Sequence, residues 1–169
     1  GSYIINDLVK IKKIKKIYLV DNFLNSRFNV LFKLQNKKFQ FIYGDVSDKL
    51  FCKKIPKANI LIHLASITNA EKSFENRKEV ERNNLNSFKN VVEYCNKYKS
   101  KLVHISSTSV YGPQKNMVDE NEKKLFPRSP YAEVKLKEEK ILKKNKKINF
   151  ISLRFGTISG YSLGMRFHT

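Results

Sequence analysis

Five short apolar runs, separated by longer amphipathic stretches, constrain the fold of this chain more than any other feature of its sequence. Each run is rich in β-branched or aromatic residues and ends at polar or small residues, as buried parallel strands do. The runs are 17–20, 39–43, 60–64, 102–105 and 150–153. The stretches between them, clearest at 75–98 and 130–145, carry apolar residues along one helical face. This alternation predicts an α/β fold, a doubly wound parallel sheet with helices on both faces.

The start of the helix near residue 130 can be located from its first residues. Ser129 is a good N-cap, and Pro130 suits the first helical position, where no amide donor is needed. Tyr131 is therefore expected in the first turn, with Lys135 one turn later on the same face. The sequence thus predicts that a phenol and an ammonium group lie close together.

Composition and charge exclude several classes of protein. With 169 residues, of which 41% are hydrophobic, the chain is long enough for one globular domain with its own core. No apolar run could span a bilayer and no secretory signal opens the chain, so we expect a cytoplasmic protein without a membrane partner. The net charge is +19, but the 28 Lys and six Arg are spread along the chain. We therefore expect no nucleic-acid partner, and an RNA- or DNA-binding protein is the weaker alternative.

The cysteines and histidines lack the spacing of a metal site. Cys52 and Cys95 are isolated, so they form neither a disulfide framework nor a zinc motif. His63, His104 and His168 are far apart, and the first two lie inside apolar runs. We therefore expect ordinary thiols, two strand histidines and no bound metal.

Polar residues follow the first two predicted strands, at the edge of the sheet where ligands bind in open α/β folds. Asp21 and Asn22 follow the first strand, and Asp45 and Val46 follow the second. Asp21 could accept hydrogen bonds from an adenosine ribose, and its charge would repel a 2′-phosphate, which favours NAD over NADP. Asp45 could bond the adenine amino group, and Val46 could cover the ring. Taken alone, each segment is also typical of an ordinary turn or helix cap.

Small and hydroxyl-bearing residues follow the next two strands. The segment 64–66 would let the backbone approach a ligand closely, and the hydroxyls of 106–109 could bond a substrate hydroxyl. A strand running into a loop and a Ser/Thr-rich turn explain the same segments equally well.

Tyr131 and Lys135 form the strongest chemical feature of the sequence. A phenol has an unperturbed pKa of about 10 and is a poor base at neutral pH. A nearby ammonium, the N-terminus of a helix and a bound nicotinamide cation would each favour the phenolate. Lowering the pKa of a phenol to about 7 takes about 4 kcal/mol of differential stabilisation, which partly buried charges can supply. A Tyr-x-x-x-Lys pair by itself is common by chance in a lysine-rich chain.

In combination and in order, these elements resemble the NAD-dependent nucleotide-sugar epimerases and dehydratases of the extended short-chain dehydrogenase/reductase family. The matching motifs, which run through essentially the whole chain, are Asp21, Gly44-Asp45, His63-Leu64-Ala65, Ser106-Ser107-x-x-Val110-Tyr111-Gly112, Ser129-Pro130-Tyr131-x-x-x-Lys135 and Leu153-Arg154-Phe155. The resemblance implies a Rossmann-like NAD-binding domain over residues 1–160, followed by the start of a substrate-binding region at 161–169. It also implies a nucleotide-sugar substrate, and it allows a homodimer of the full-length protein.

The resemblance further assigns roles to individual residues. Tyr131 would be the catalytic base, Lys135 its partner and a ligand of the nicotinamide ribose, and Ser107 the catalytic hydroxyl. The cofactor-binding positions would be Gly1, Asp21, Asn22, Asp45, Val46, Leu64, Ala65, Ser66, Tyr131, Lys135 and Phe155. The substrate-binding positions would be Ser107, Thr108 and Thr157. Asn84 matches a family asparagine that is usually structural near the active site.

The chain departs from the family pattern at both ends. The family opens with a strand and a Gly-x-x-Gly-x-x-Gly turn that binds pyrophosphate, whereas Gly1 matches the third glycine, with a Gly-Ser cloning scar as the alternative. We expect the missing strand to leave a gap in the sheet, and residues 1–169 alone neither to fold stably nor to turn over substrate. Thr157 stands where the family often has an Asn that touches substrate phosphate, and the segment 164–168 receives no role.

The two residues after Ser107 separate the reactions of the family. A 4,6-dehydratase needs a further acid/base pair, usually Asp-Glu directly after the catalytic hydroxyl, and decarboxylating relatives carry the Glu. Here these positions are Thr108 and Ser109, and a hydroxyl is too weak an acid to replace a carboxyl group. The sequence therefore favours an epimerase that acts through a 4-keto intermediate. The alternatives are a nucleotide-sugar dehydratase or reductase and a non-catalytic NAD-binding regulator, which would need neither Tyr131 nor Lys135.

Overall fold

The structure, a computed structural model, describes residues 2–24, 36–68, 72–158 and 160, and its elements follow the predicted alternation. The strands are β1 (Ile17–Asp21), β2 (Phe39–Tyr43), β3 (Ile60–His63), β4 (Lys101–Ser107) and β5 (Phe150–Phe155). The helices are α1 (Ser2–Lys10), α2 (Lys49–Cys52), α3 (Lys72–Glu75), α4 (Arg77–Tyr98) and α5 (Pro130–Lys144), with a 3₁₀ turn at Thr108–Val110. The five predicted strands, including the strand positions of the two histidines, are confirmed.

The strands pair in parallel in two separate sheets. In the first sheet β1 pairs with β2, with Ile17 opposite Phe39 and Asp21 opposite Tyr43. In the second sheet the order is β3-β4-β5, and both pairings are again parallel. The chain divides into two compact units, Gly1–Asp45 with Ile158–Thr169, and Val46–Thr157. The α/β class is confirmed, and the assignment of residues 1–160 to one domain stays a prediction.

In the first unit, Lys38 joins α1 to the start of β2. Its Nζ donates hydrogen bonds to the backbone carbonyls of Val9 at 2.9 Å and Ile11 at 3.2 Å. The last carbonyls of a helix have no intrahelical donor, so the bond to Val9 is one that α1 cannot supply itself, whereas Ile11 lies just after the helix. After β1 the chain turns at Phe23, where φ is 52°, and the Phe23 ring stacks on Phe41 with the centroids 5.0 Å apart.

The core of the second unit is built by α4, α5 and β4. Phe88 and Cys95 of α4 pack with Leu102 of β4 and Leu142 of α5, and all four side chains are buried. Burying apolar surface contributes about 25 cal/mol for each Å², so this contact fixes α5, and with it Tyr131, against the sheet.

No helix in the described part of the chain is both long and apolar enough to cross a bilayer.

Several element boundaries differ by one or two residues from the predicted ones, and those of α4 and β4 are the clearest cases. The helix α4 begins at Arg77 rather than at 75, because Asn76 adopts a non-helical backbone and separates it from α3. The strand β4 continues through Ser107, so Ser106 and Ser107 are its last residues rather than part of the turn after it. Successive strand residues point to opposite faces, and accordingly Ser106 is buried while Ser107 is half-buried.

Candidate active site

The first turns of α5 bring Tyr131 and Lys135 together. Ser129 Oγ accepts a hydrogen bond from the N–H of Ala132 at 3.2 Å, and Pro130 occupies the start of the helix, which confirms the predicted helix start. Lys135 Nζ lies 5.8 Å from the centroid of the Tyr131 ring, and only 3% of Lys135 is exposed. A buried ammonium at this distance favours a phenolate over a phenol.

Ser107 lies where β4 ends and the 3₁₀ turn begins. Its Oγ is 2.6 Å from Ser109 Oγ and accepts a hydrogen bond from the N–H of Ser109 at 3.2 Å. Thr108 Oγ1 donates to the carbonyl of Phe155 at 3.4 Å. Three hydroxyls are thus gathered at the carboxyl end of β4, next to the end of β5. In open α/β sheets this is the edge at which ligands bind.

A buried polar cluster, which we call the Glu138 network, surrounds the end of Lys135. It consists of Lys135, Glu138, His104 and Ser152. Glu138 Oε2 accepts hydrogen bonds from Lys135 Nζ and from His104 Nε2, both at 2.9 Å. His104 Nδ1 lies 2.8 Å from Ser152 Oγ, so the Lys135 side chain is tied through Glu138 to β4 and β5.

A second cluster, the Glu139 network, consists of Glu139, Arg154 and Ser106. Arg154 donates two hydrogen bonds to the Glu139 carboxylate, from Nε at 2.9 Å and from Nη2 at 2.7 Å. Ser106 Oγ donates to the same carboxylate at 2.6 Å. The Arg154 guanidinium also lies 4.8 Å from the centroid of the Tyr111 ring. The network joins α5 to the carboxyl ends of β4 and β5, where Ser107 lies.

Burial and hydrogen bonding act in opposite directions on the pKa values of the two glutamates. Burial raises the pKa of Glu138, but the His104 hydrogen bond and the Lys135 ammonium outweigh it and hold that pKa below its usual range. Burial likewise raises the pKa of Glu139, and the bonds from Arg154 and Ser106 reverse the shift. Both side chains are therefore carboxylates at neutral pH, and the stability they contribute is lost as the pH falls through their lowered pKa values.

Both networks were missed by reasoning from the sequence. Glu138 stands three residues after Lys135, a spacing that places two side chains on one helix face, and this was the available signal. In a lysine-rich helix, however, a Glu pair is equally typical of a solvated face. The partners His104 and Arg154 come from distant strands, and only the packed structure brings them to α5.

His63, the last residue of β3, is expected to make the stability of the protein sensitive to acid. Its pKa is lowered from 6.5 to about 3, first by burial and then by the charge of Lys135. The folded protein therefore keeps His63 neutral at pH values where the unfolded chain binds a proton. The free energy of unfolding should fall by up to about 1.4 kcal/mol for each pH unit between about pH 6 and pH 4.

The variant His63→Gln in the full-length protein should remove this contribution. We expect a shallower pH dependence of the unfolding free energy, measured by urea denaturation across that range, because Gln does not titrate. Lys97→Gln, an exposed change on α4, is the control and should keep the original slope. An unchanged slope in His63→Gln would contradict the lowered pKa of His63.

The predicted adenosine-binding residues of the first unit lie at the carboxyl ends of its strands. Asp21 is the last residue of β1, and its Oδ1 accepts a hydrogen bond from the N–H of Phe23 at 2.7 Å. Asn22 Nδ2 donates to Asp45 Oδ2 at 3.0 Å, which links the ends of β1 and β2. A carboxylate can accept about four hydrogen bonds, so Asp21 can hold the turn and still accept from a ribose. Gly1 lies outside the described residues.

The remaining predicted cofactor residues that the structure describes belong to the second unit, and their role in binding a dinucleotide stays a prediction. After β3, Leu64 and Ala65 are exposed, and 42% of Leu64 is accessible. Ser66 Oγ is buried and has no hydrogen-bond partner among the residues the structure describes. A buried hydroxyl left unpaired costs about 1–3 kcal/mol, so a polar ligand group at this position would be stabilising. Phe155, at the end of β5, is 40% exposed, and Thr157 is exposed after it.

Two asparagines of α4 hold the loops that carry these residues. Asn84 exchanges two hydrogen bonds with the backbone of Ile67, at 2.9 Å and 3.1 Å, and so fixes the segment after β3. Asn90 Nδ2 donates to the carbonyls of Val46 and Ser47, both at 3.0 Å.

In the described ranges, no group of three or more His, Cys, Asp or Glu side chains is placed to hold a metal ion.

Solved structures of two nucleotide-sugar 4-epimerases share this fold. The UDP-N-acetylglucosamine 4-epimerase from Methanobrevibacter ruminantium matches with a TM-score of 0.81 at 24% identity, over 91% of this chain and 50% of that one. The UDP-glucuronic acid 4-epimerase from Bacillus cereus, solved in complex with NAD, matches with a TM-score of 0.77 at 28% identity, over 93% of this chain and 53% of that one. The Rossmann-like fold is therefore confirmed.

The family model of the NAD dependent epimerase/dehydratase family matches residues 1–169, and the chain belongs to this family. An uncharacterised UDP-glucose epimerase of Bacillus subtilis (strain 168) is 29% identical over 171 residues, covering 95% of this chain and 54% of the relative. A dTDP-D-glucose 4,6-dehydratase of Dictyostelium discoideum is 29% identical over 175 residues, covering 85% of this chain and 40% of the relative. The chain thus spans about half the length of these curated relatives.

Proposed function

We propose that the full-length protein containing this chain epimerises a nucleotide sugar through a 4-keto intermediate, with NAD as its cofactor. The observation that carries the proposal is the buried Lys135 ammonium, 5.8 Å from the centroid of the Tyr131 ring. It favours a phenolate, the form of tyrosine that can take a proton from a hydroxyl group. Membership of an NAD-dependent epimerase/dehydratase family supports the same chemistry.

Three side chains of the second unit would move or hold the reacting proton. Tyr131 takes the proton of the sugar 4-hydroxyl and later returns it to the oxygen of the 4-keto group. Lys135 stabilises the phenolate between these events, and Ser107 Oγ donates a hydrogen bond to the oxygen as it becomes a carbonyl. NAD, when bound, supplies the oxidation and the subsequent reduction at C4. The configuration is inverted if the keto sugar rotates before it is reduced.

The cofactor would be held by residues at the carboxyl ends of the strands. Asp21 would accept hydrogen bonds from the adenosine ribose, with Asn22 beside it, and Asp45 and Val46 would bind the adenine. The negative charge of Asp21 would repel a 2′-phosphate, which supports NAD rather than NADP. The other contacts would come from Gly1, Leu64, Ala65, Ser66, Tyr131, Lys135 and Phe155. Ser66 Oγ, which has no hydrogen-bond partner among the described residues, supports a polar contact in this set.

The residues after Ser107 support epimerisation over dehydration. Thr108 and Ser109 offer hydroxyl groups, one of them bonded to Phe155 and the other to Ser107, where a dehydratase would need carboxyl groups. Thr108 and Thr157 are instead proposed to contact the substrate. The Dictyostelium relative, a dTDP-D-glucose 4,6-dehydratase, is the reason to keep a dehydratase as the second candidate.

The test is the mass of the product that the full-length protein forms from nucleotide sugars. The protein would be incubated with UDP-, dTDP- and GDP-sugars, and the products followed by mass and retention time. A product of unchanged mass with a new retention time would establish epimerisation and identify the substrate. Loss of one water would establish a dehydratase and overturn the proposal.

A further inference from the structure

Glu138 lies directly against Lys135, the proposed partner of the catalytic base Tyr131. Its Oε2 is 2.9 Å from Lys135 Nζ and 2.9 Å from His104 Nε2, and the Glu138 and His104 side chains are fully buried. The lysine side chain beside them is only 4% exposed. A buried ammonium needs acceptors in place of water, and Glu138 supplies one together with an opposite charge.

The position of the Glu138 carboxylate is fixed from the opposite side by the strands. His104 of β4 bonds to Ser152 of β5 at 2.8 Å, and its ring packs on Phe88 of α4 with the centroids 4.9 Å apart. A single rotamer change cannot move Glu138 away from Lys135 without breaking the bond to His104. The carboxylate is therefore a constant part of the surroundings of Lys135.

We infer that Glu138 is a positioning residue that anchors the Lys135 ammonium and offsets part of its charge. Tyr131 therefore ionises at a higher pH than it would if no carboxylate lay next to Lys135. The inference rests on the proposed function, in which Tyr131 is the base. A lysine stabilises the phenolate through its positive charge, and a carboxylate 2.9 Å from that charge weakens the field it exerts on its neighbours. The ionised state of Glu138 follows from its lowered pKa.

Within the described residues, several other charged and titratable groups on the elements packed against α5 are engaged elsewhere or neutral, and Glu75 of α3 is exposed. Arg77 and Glu81 of α4 pair with Glu133 and Lys137 on the helix surface. Arg154 of β5 pairs with Glu139 and lies near Tyr111. His63 of β3 remains neutral because of its lowered pKa, and His104 of β4 is bonded to Glu138 itself. Glu138 is thus the anion in direct contact with Lys135.

The variant Glu138→Gln separates anchoring from charge. An amide oxygen can accept the bonds of Lys135 and His104, and the amide nitrogen can replace Oε1, which has no hydrogen-bond partner in the described part of the chain. We expect Tyr131 to ionise about one pH unit lower in this variant, because the opposing charge is gone. The measurement is an NMR titration of the full-length, NAD-bound protein labelled with 13Cζ-tyrosine, in which Tyr131→Phe assigns the signal. Glu93→Gln, an exposed carboxylate on α4, is the matched control and should cause no shift.

A second variant tests whether a structural change around His104, which loses its carboxylate partner, causes the shift instead of the loss of charge. Glu138→Gln combined with His104→Phe removes the opposing charge and the histidine together, while the amide oxygen at position 138 can still accept a hydrogen bond from Lys135 Nζ. The Tyr131 ionisation should again move to lower pH. Unchanged or higher ionisation pH in both variants would overturn the inference.

Lys135→Met separates this result from a failure of the proposed function. If Lys135→Met raises the ionisation pH of Tyr131 while neither Glu138 variant lowers it, the proposed pairing of Tyr131 with Lys135 is supported and the role of Glu138 is wrong. If Lys135→Met leaves the ionisation of Tyr131 unchanged, Lys135 does not promote the ionisation of Tyr131. The proposed Tyr131–Lys135 pair is then wrong, and so is the inference about Glu138.

Discussion

The full-length protein carrying Tyr131→Phe is expected to lose about three orders of magnitude in the kcat of the proposed reaction while it still binds NAD. The substitution removes the only atom of Tyr131 that can take a proton, and general base catalysis contributes about 10²–10⁴-fold in rate. The aromatic ring beside Lys135 remains, and Phe retains nearly all of the volume of Tyr. The substitution should therefore change the chemistry and leave the fold intact.

The measurement is steady-state turnover of the nucleotide sugar that the product assay identifies, alongside NAD binding by fluorescence titration. Tyr98→Phe is the matched control, since it removes one hydroxyl from a half-buried tyrosine on α4, away from α5's first turn. This control should keep kcat within about twofold, because it removes no group that acts on the substrate. Near-normal turnover of Tyr131→Phe would contradict the assignment of Tyr131 as the base.

The second large effect is expected on stability, from Glu139→Ala. This change leaves Arg154 without the carboxylate that accepts its two hydrogen bonds, and the Arg154 side chain is only 11% exposed. Removing one partner of a buried ion pair costs about 3–5 kcal/mol, because the other charge is left without compensation. Ser106 Oγ loses its acceptor as well. We expect a decrease of about 3 kcal/mol in the free energy of unfolding, measured by urea denaturation of the full-length protein.

The exposed ion pair Lys49–Glu93 offers the control for that experiment. Its two side chains are 59% and 58% exposed, and pairs of this kind contribute less than about 1 kcal/mol. Glu93→Ala should therefore change the free energy of unfolding by less than about 1 kcal/mol. An equally small effect of Glu139→Ala would mean that water reaches Arg154 and replaces the lost carboxylate.

The local structure around the proposed base followed from short-range rules. Ser129 caps α5 through its own hydroxyl, and Pro130 begins the helix, so Tyr131 and Lys135 are placed by residues within one turn of them. Each strand was likewise visible as an apolar run, because a buried parallel strand needs apolar side chains on both faces. The end of β4 was predicted too early, because serine is common in turns. Ser106 is instead a buried strand residue whose hydroxyl donates a hydrogen bond to Glu139.

The proposed roles of Ser107, Tyr131 and Lys135 and of the cofactor residues remain predictions from resemblance. The geometry adds support for the pair on α5 and for Ser66, whose buried hydroxyl has no partner in the described ranges. The expectation that residues 1–169 alone neither fold stably nor turn over substrate also stays a prediction. A cooperative melt of this segment with retained NAD would contradict it.

By itself, the sequence determined the strands, the start of α5 and the motifs that resemble the family, because these depend on residues that are neighbours along the chain. Only the tertiary structure decided what the buried charges do. Glu138 and Glu139 are adjacent in a helix rich in lysine, yet one pairs with Lys135 and His104 and the other with Arg154 and Ser106. Apart from Lys135, which lies on α5 itself, these partners come from strands up to 34 residues away in the sequence. Pairing between such distant residues depends on how α5 packs against the sheet, and hydrophobic periodicity along the chain carries no information about it.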